Sequence, residues 1–142
     1  AIGTNDGRIS IRFKMTELDR KVKTNDLKVE GNDVQVTELS FSAENGSYLA
    51  AGTSKGDIFI YSAEDTTYLL AHYIKGTFKN PIKSIDWDIK SAFIQIASSL
   101  NEYGFADVGK GRMVEDPSLV RNIEWNNITC KFGWHVQVFV FL

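Results

Sequence analysis

Residues 1–13, AIGTNDGRISIRF, and residues 50–62, AAGTSKGDIFIYS, follow one pattern: an apolar pair, Gly-Thr, a short polar turn closed by Gly, and an alternating strand. Gly3 and Gly52 stand 49 residues apart, and so do Gly7 and Gly56. A second correspondence runs later. Setting residues 39–54, LSFSAENGSYLAAGTS, on residues 85–99, IDWDIKSAFIQIASS, places Phe41 on Trp87, 46 positions on. In both, an aromatic ends one strand, a polar turn follows, and an aromatic opens the next. A chain that repeats itself at this interval is built from small units that must stack to bury their faces.

The units are made of strands. Helical periodicity is scarce and there are only two prolines, whereas alternation at period two with β-branched and aromatic residues recurs. Ile9, Ile11 and Phe13 alternate with Arg8, Ser10 and Arg12. Val34, Val36, Leu39 and Phe41 continue the pattern, then Tyr48–Ala51. The run Ile58–Tyr61 is apolar on both faces, as a doubly buried strand requires. Residues 67–74, 82–87, 93–97, 103–108 and 136–142 complete the set. The turns Asn5-Asp6-Gly7, Glu44-Asn45-Gly46 and Ser54-Lys55-Gly56 each end in Gly, which supplies the positive φ of a tight hairpin. Neighbouring strands are therefore expected to be antiparallel and sequential. The charge-rich stretch 15–32 reads as an outer strand plus a long loop. Residues 112–122 read similarly, with Asp116-Pro117 interrupting regular structure. About four strands per repeat of about 40–50 residues is the pattern of β-propeller blades. The expected fold class is all-β, a propeller fragment of about two and a half to three four-stranded antiparallel blades. The expected divisions are a partial blade at 1–32 (its second, third and outer strands, with the polar insertion), a blade at 33–76, and a blade at 77–142 whose long outer segment leads toward a further blade.

At this point the residues resemble a known family. Residues 36–62, VTELSFSAENGSYLAAGTSKGDIFIYS, look like a degenerate WD40 repeat. No Gly-His precedes the first strand, Tyr61 stands at the usual Trp position, and Lys55 takes the turn position that Asp6 keeps in the earlier copy. The resemblance implies that the buried Asp–His–Ser/Thr–Trp network of regular repeats is missing here and that apolar packing carries the unit. Residues 120–141, VRNIEWNNITCKFGWHVQVFVF, are similar to a segment of the echinoderm microtubule-associated protein-like family, through Ile123, Trp125, Thr129, Cys130, Gly133 and Val136. The opening hairpin, the insertion after it, the unit at 36–62 and residues 82–108 fit the same family in collinear order, at its second propeller. The resemblance implies a WD40 scaffold without catalytic activity, in a cytoskeletal, cytoplasmic protein that binds tubulin and microtubules. The other expectation is a generic WD40 scaffold of a ciliary or regulatory complex that does not bind tubulin.

Composition narrows the alternatives. The apolar share is 43% and the charged share 24%, ordinary for a folded domain, with a net charge of −2. No clustered excess of Lys and Arg points to nucleic acid or an anionic membrane surface. No apolar run reaches the roughly 18 residues of a membrane span. One cysteine, Cys130, excludes an internal disulfide and fits a reducing compartment; it reads as a small buried hydrophobe. His72 and His135 lack metal-ligand spacing. A Cys130–His135 thiol pair and the Asp86/Asp88 carboxylates are weighed as chemistry and set below core packing, turn and structural hydrogen-bond roles. The lone Gly109-x-Gly111 lacks the Lys of a phosphate loop. No catalytic residue, metal or cofactor is expected. The candidate protein-binding residues are Arg20, Lys21, Lys23 and Lys28 in the polar insertion, and Lys75, Lys79 and Lys83 around the turn before the last unit. The chain opens Ala1-Ile2-Gly3 with no initiator Met, so it reads as a piece of a larger ring. A seven-bladed ring needs about 300 residues. The missing blades are expected from the parent chain, another segment or self-association, because raw blade faces are apolar.

Overall fold

The computed structural model describes residues 1–11, 34–63 and 68–130. Its strands are β1 (Ile2–Gly3), β2 (Ile9–Ser10), β3 (Val36–Phe41), β4 (Tyr48–Thr53), β5 (Ile58–Ser62), β6 (Leu69–Ile74), β7 (Ile82–Trp87), β8 (Phe93–Ser98), β9 (Tyr103–Asp107) and β10 (Arg112–Met113). Each pairs antiparallel with a sequence neighbour, in three sheets: β1-β2, β3-β4-β5-β6 and β7-β8-β9-β10. The expected strands at 15–32 and 136–142 lie outside the described residues. Asp116-Pro117 does more than interrupt. Asp116 accepts from Ser118 N at 2.9 Å and caps a 3₁₀ turn over Pro117–Val120.

The sheets stack face to face. β3 lies against β1, and β7 lies against β3 and β4. This explains why β4 and β5 are apolar on both sides. Ala50, Ile58 and Ile60 join Ile82, Ile85, Trp87, Ile94 and Ile96 of the third sheet in one core. Leu49, Ala51, Phe59 and Tyr61 point the other way, into a second core with Ile9, Ile11 and Val34. Trp87 fastens the first core: its indole N–H donates to the Ser40 carbonyl at 3.1 Å, and its ring stacks on Tyr48. Tyr61, at the position of the usual Trp, is buried among apolar neighbours.

The repeated Gly-Thr now has a physical meaning for each residue. A Cβ on Gly3 would collide with Val36, and a Cβ on Gly52 with Ile82. Each Gly marks the point where the first strand of the next sheet crosses. Each Thr closes a hairpin. Thr4 Oγ1 accepts from Arg8 N, and Thr53 Oγ1 from Asp57 N, both at 3.1 Å. Ser98 does the same for Glu102 N at 3.2 Å, so the hairpin occurs three times among the described residues. The third copy escaped the sequence pattern because Asn101, with φ 62°, stands where Gly7 (78°) and Gly56 (81°) supply the left-handed residue.

Candidate protein-binding face

The three hairpin turns and the β6–β7 connection form one rim of the stack. The connection, from Lys75 to Pro81, is held from both sides. On one side Asp57 Oδ1 accepts from Gly76 N at 2.6 Å, Asp57 Oδ2 from the Tyr73 hydroxyl at 3.3 Å, and the Gly56 carbonyl from Phe78 N at 3.2 Å. On the other, Glu102 accepts from Lys79 N at 3.4 Å, Asn80 Nδ2 at 3.0 Å and Ser98 Oγ at 2.8 Å, while Ser99 N donates to the Pro81 carbonyl at 2.9 Å. The hydrogen bonds from Asn80 and Ser98 hold the Glu102 carboxyl below its ordinary range, so it stays charged.

Lys75, Lys79 and Lys83 are all exposed on this rim. Lys83 sits in β7 at an irregularity that sequence reading missed. Ile82 pairs with Ser98 and Ser84 with Ala97, which leaves Lys83 as an extra, bulged residue. Thr37 holds the same place in β3, between Val36↔Thr53 and Glu38↔Gly52. Lys83 also borders a cleft of about 210 Å³ lined by Ala97, Ser99, Asn101, Tyr103 and Thr129. Among the described residues Arg8 pairs with Asp6 and Lys110 with Asp107, and no ion pair joins Lys75, Lys79 or Lys83 to a described carboxylate. Arg20, Lys21, Lys23 and Lys28 lie outside the described residues.

The carboxylates flanking Trp87 are structural. Asp88 Oδ1 accepts from Ala92 N (2.7 Å) and Phe93 N (2.8 Å), closing the β7–β8 turn. Asp86 is fully buried. It accepts from Gln95 Nε2 at 3.0 Å, Thr129 N at 2.8 Å and Cys130 N at 2.9 Å, and from the Thr129 hydroxyl. These bonds tie residues 123–130 along the outer side of β7, helped by Asn126 N to the Trp87 carbonyl and by Trp125 stacked on Phe105. Burial, then the Asp86 charge, push the Cys130 thiol up and keep it protonated. Among the described residues, Gln95 Oε1 is buried without a hydrogen-bond partner. Glu38 on β3 is half-buried, and desolvation together with Asp86 raises its carboxyl above the ordinary range. His72 packs against Gly111, between the outer strands of adjacent sheets. His135 lies outside the described residues. Among the described residues no group of three His, Cys, Asp or Glu is placed to hold a metal, and no helix is long and apolar enough to cross a membrane.

No family model matches the chain. It is 31% identical over 140 residues to the ciliary WD repeat-containing protein ctxp80 of Euplotoides octocarinatus, covering 96% of this chain and 18% of that protein. It is 28% identical to human echinoderm microtubule-associated protein-like 1 over 137 residues and to human echinoderm microtubule-associated protein-like 2 over 140. Each match covers 96% of this chain, but 16% and 20% of those proteins. The chain thus spans about a fifth or less of the length of these relatives. Among solved structures it superposes on the C-terminal WD40 domain of Sif2 with a TM-score of 0.56 at 21% identity, over 63% of this chain and 24% of that one. The chain is a segment of a WD40-repeat β-propeller, homologous over nearly its whole length to WD-repeat proteins that include the echinoderm microtubule-associated protein-like proteins.

Proposed function

We propose that this chain is a non-catalytic scaffold segment of a cytoplasmic, microtubule-associated cytoskeletal protein. One observation carries the reading: the likeness to the echinoderm microtubule-associated protein-like proteins runs collinearly through 96% of the chain, not through one motif. The geometry supports a scaffold. Polar side chains in the interior, such as Asp86 and Asp88, are committed to holding backbone amides. The described surface is a set of turns on stacked sheets, the usual presentation for protein ligands. Blades outside this chain complete the ring, supplied by the parent chain, another segment or a second copy.

The test is co-sedimentation of the full-length protein with polymerised microtubules. Pelleting that saturates with tubulin concentration is the expected result; a protein left in the supernatant at all tubulin concentrations overturns the reading. The 31% identity to a ciliary WD-repeat protein favours a second reading, a scaffold of a ciliary or regulatory complex that does not touch tubulin. That reading predicts the supernatant result.

A further inference from the structure

We propose that the β6–β7 connection is a preformed docking platform for an acidic peptide segment, bound through Lys75, Lys79 and Lys83; this rests on the scaffold reading above. Three observations meet there. First, the rim is basic although the chain is not. The turns 54–57 and 99–102 and the stretch 75–83 hold Lys55, Lys75, Lys79 and Lys83 against Asp57 and Glu102, while the whole chain has 16 Lys and Arg against 18 Asp and Glu. Second, the carboxylates of the turns 54–57 and 99–102 accept hydrogen bonds from the connection between them. Asp57 is engaged by Gly76 N and the Tyr73 hydroxyl, and Glu102 by Lys79 N, Asn80 and Ser98. They fix the loop backbone that carries the lysines, and no ion pair ties the three ammonium groups to a described carboxylate.

Third, the platform is rigid before it binds. The connection is anchored at Gly76, Phe78, Lys79, Asn80 and Pro81 by the hairpins on either side. A ligand therefore has little loop order to impose, which favours binding. The bulge at Lys83 adds specificity. Thr37 occupies the same bulge one sheet earlier, so the cation belongs to this blade and not to the repeat. Lysines at 75, 79 and 83 supply point charges without the planar fork that selects one bidentate partner. Several such charges on one rim suit several carboxylates along an extended chain.

The test uses the full-length protein and a fluorescein-labelled decaglutamate peptide, followed by anisotropy at low salt. Decaglutamate is expected to bind, decaglutamine is not, and binding should fade as salt rises past about 0.15 M. Replacing Lys75, Lys79 and Lys83 together by Glu should weaken decaglutamate about tenfold or more, while the Arg triple retains it. A thermal melt checks folding, and if the Glu triple fails to fold, the Gln triple gives the same comparison. Equal binding of decaglutamate by wild type and the neutral triple overturns the proposal. So does capture by phosphatidylserine vesicles through these lysines with no binding of decaglutamate. If microtubules pellet the protein but the triple variant pellets equally well, the platform fails and the microtubule reading stands. If decaglutamate binds through the lysines and microtubules do not pellet the protein, the platform stands and the microtubule reading fails.

Discussion

At Asp86 one buried carboxylate accepts from Gln95, Thr129 and Cys130, and Thr129 lies 43 residues downstream. Truncating it to Ala leaves several buried donors without an acceptor. Asp86→Ala should lower stability by about 3 kcal/mol or more, and Asp86→Asn by less, read as a shift in urea midpoint. Glu38 works in the opposite sense. Desolvation and the Asp86 charge raise its folded-state affinity for a proton, so its favourable contribution is present below the ordinary carboxylate range and is lost as pH rises through the raised value. Glu38→Gln should therefore stabilise at neutral pH, and the gain should shrink on acidification; urea midpoints at pH 7 and pH 4 measure it. The Asp86 network was only half legible. Two carboxylates around a Trp read as structural, but nothing local in the sequence ties position 86 to positions 129 and 130. The likeness of residues 120–141 to a family segment marked Thr129 and Cys130 without saying what they bind.

The hairpins and bulges show where sequence speaks at the level of elements. Gly7 and Gly56 announced their turns because left-handed backbone selects Gly; Asn101 hid the third because Asn tolerates the same backbone. Gly56 is further constrained, since a Cβ there would meet the Phe78 carbonyl oxygen. Gly56→Ala should lose roughly 2–4 kcal/mol from left-handed strain plus the clash. Asn101→Gly should stay within about 0.5 kcal/mol of the parent. Thermal denaturation of both variants separates a turn that needs Gly from one that only needs the conformation. The bulges at Thr37 and Lys83 left only a one-position trace, the three-residue steps Val36 to Leu39 and Ile82 to Ile85 within two-residue alternation. The basic character of Lys75, Lys79 and Lys83 was legible in sequence; the pinned loop that carries them was not.

For the whole molecule, the 49-residue spacing named the architecture because each Gly records where one sheet meets the next. In the third sheet Ala97 takes the place of Gly52, and the cleft beside Lys83 opens over it. Leu119 and Ile128 are exposed, at 66% and 61%. Residues 1–142 expressed alone are expected to self-associate at micromolar concentration, and sedimentation velocity showing a single, cooperatively folding monomer would refute this. The doubly buried β4 and β5 carry one more implication. A strand that is apolar on both sides offers no hydrophobic penalty for sliding by one residue, since a slip exchanges one dry face for the other. Hydrophobic patterning is therefore blind to phase in the middle sheet. Gly52, which alone fits under Ile82, and the hydroxyl of Thr53, locked onto the amide of Asp57, are what count the residues. Loss of that hydroxyl should produce misregistered chains as well as weakened ones, so fidelity of assembly resides in the turns more than in the core.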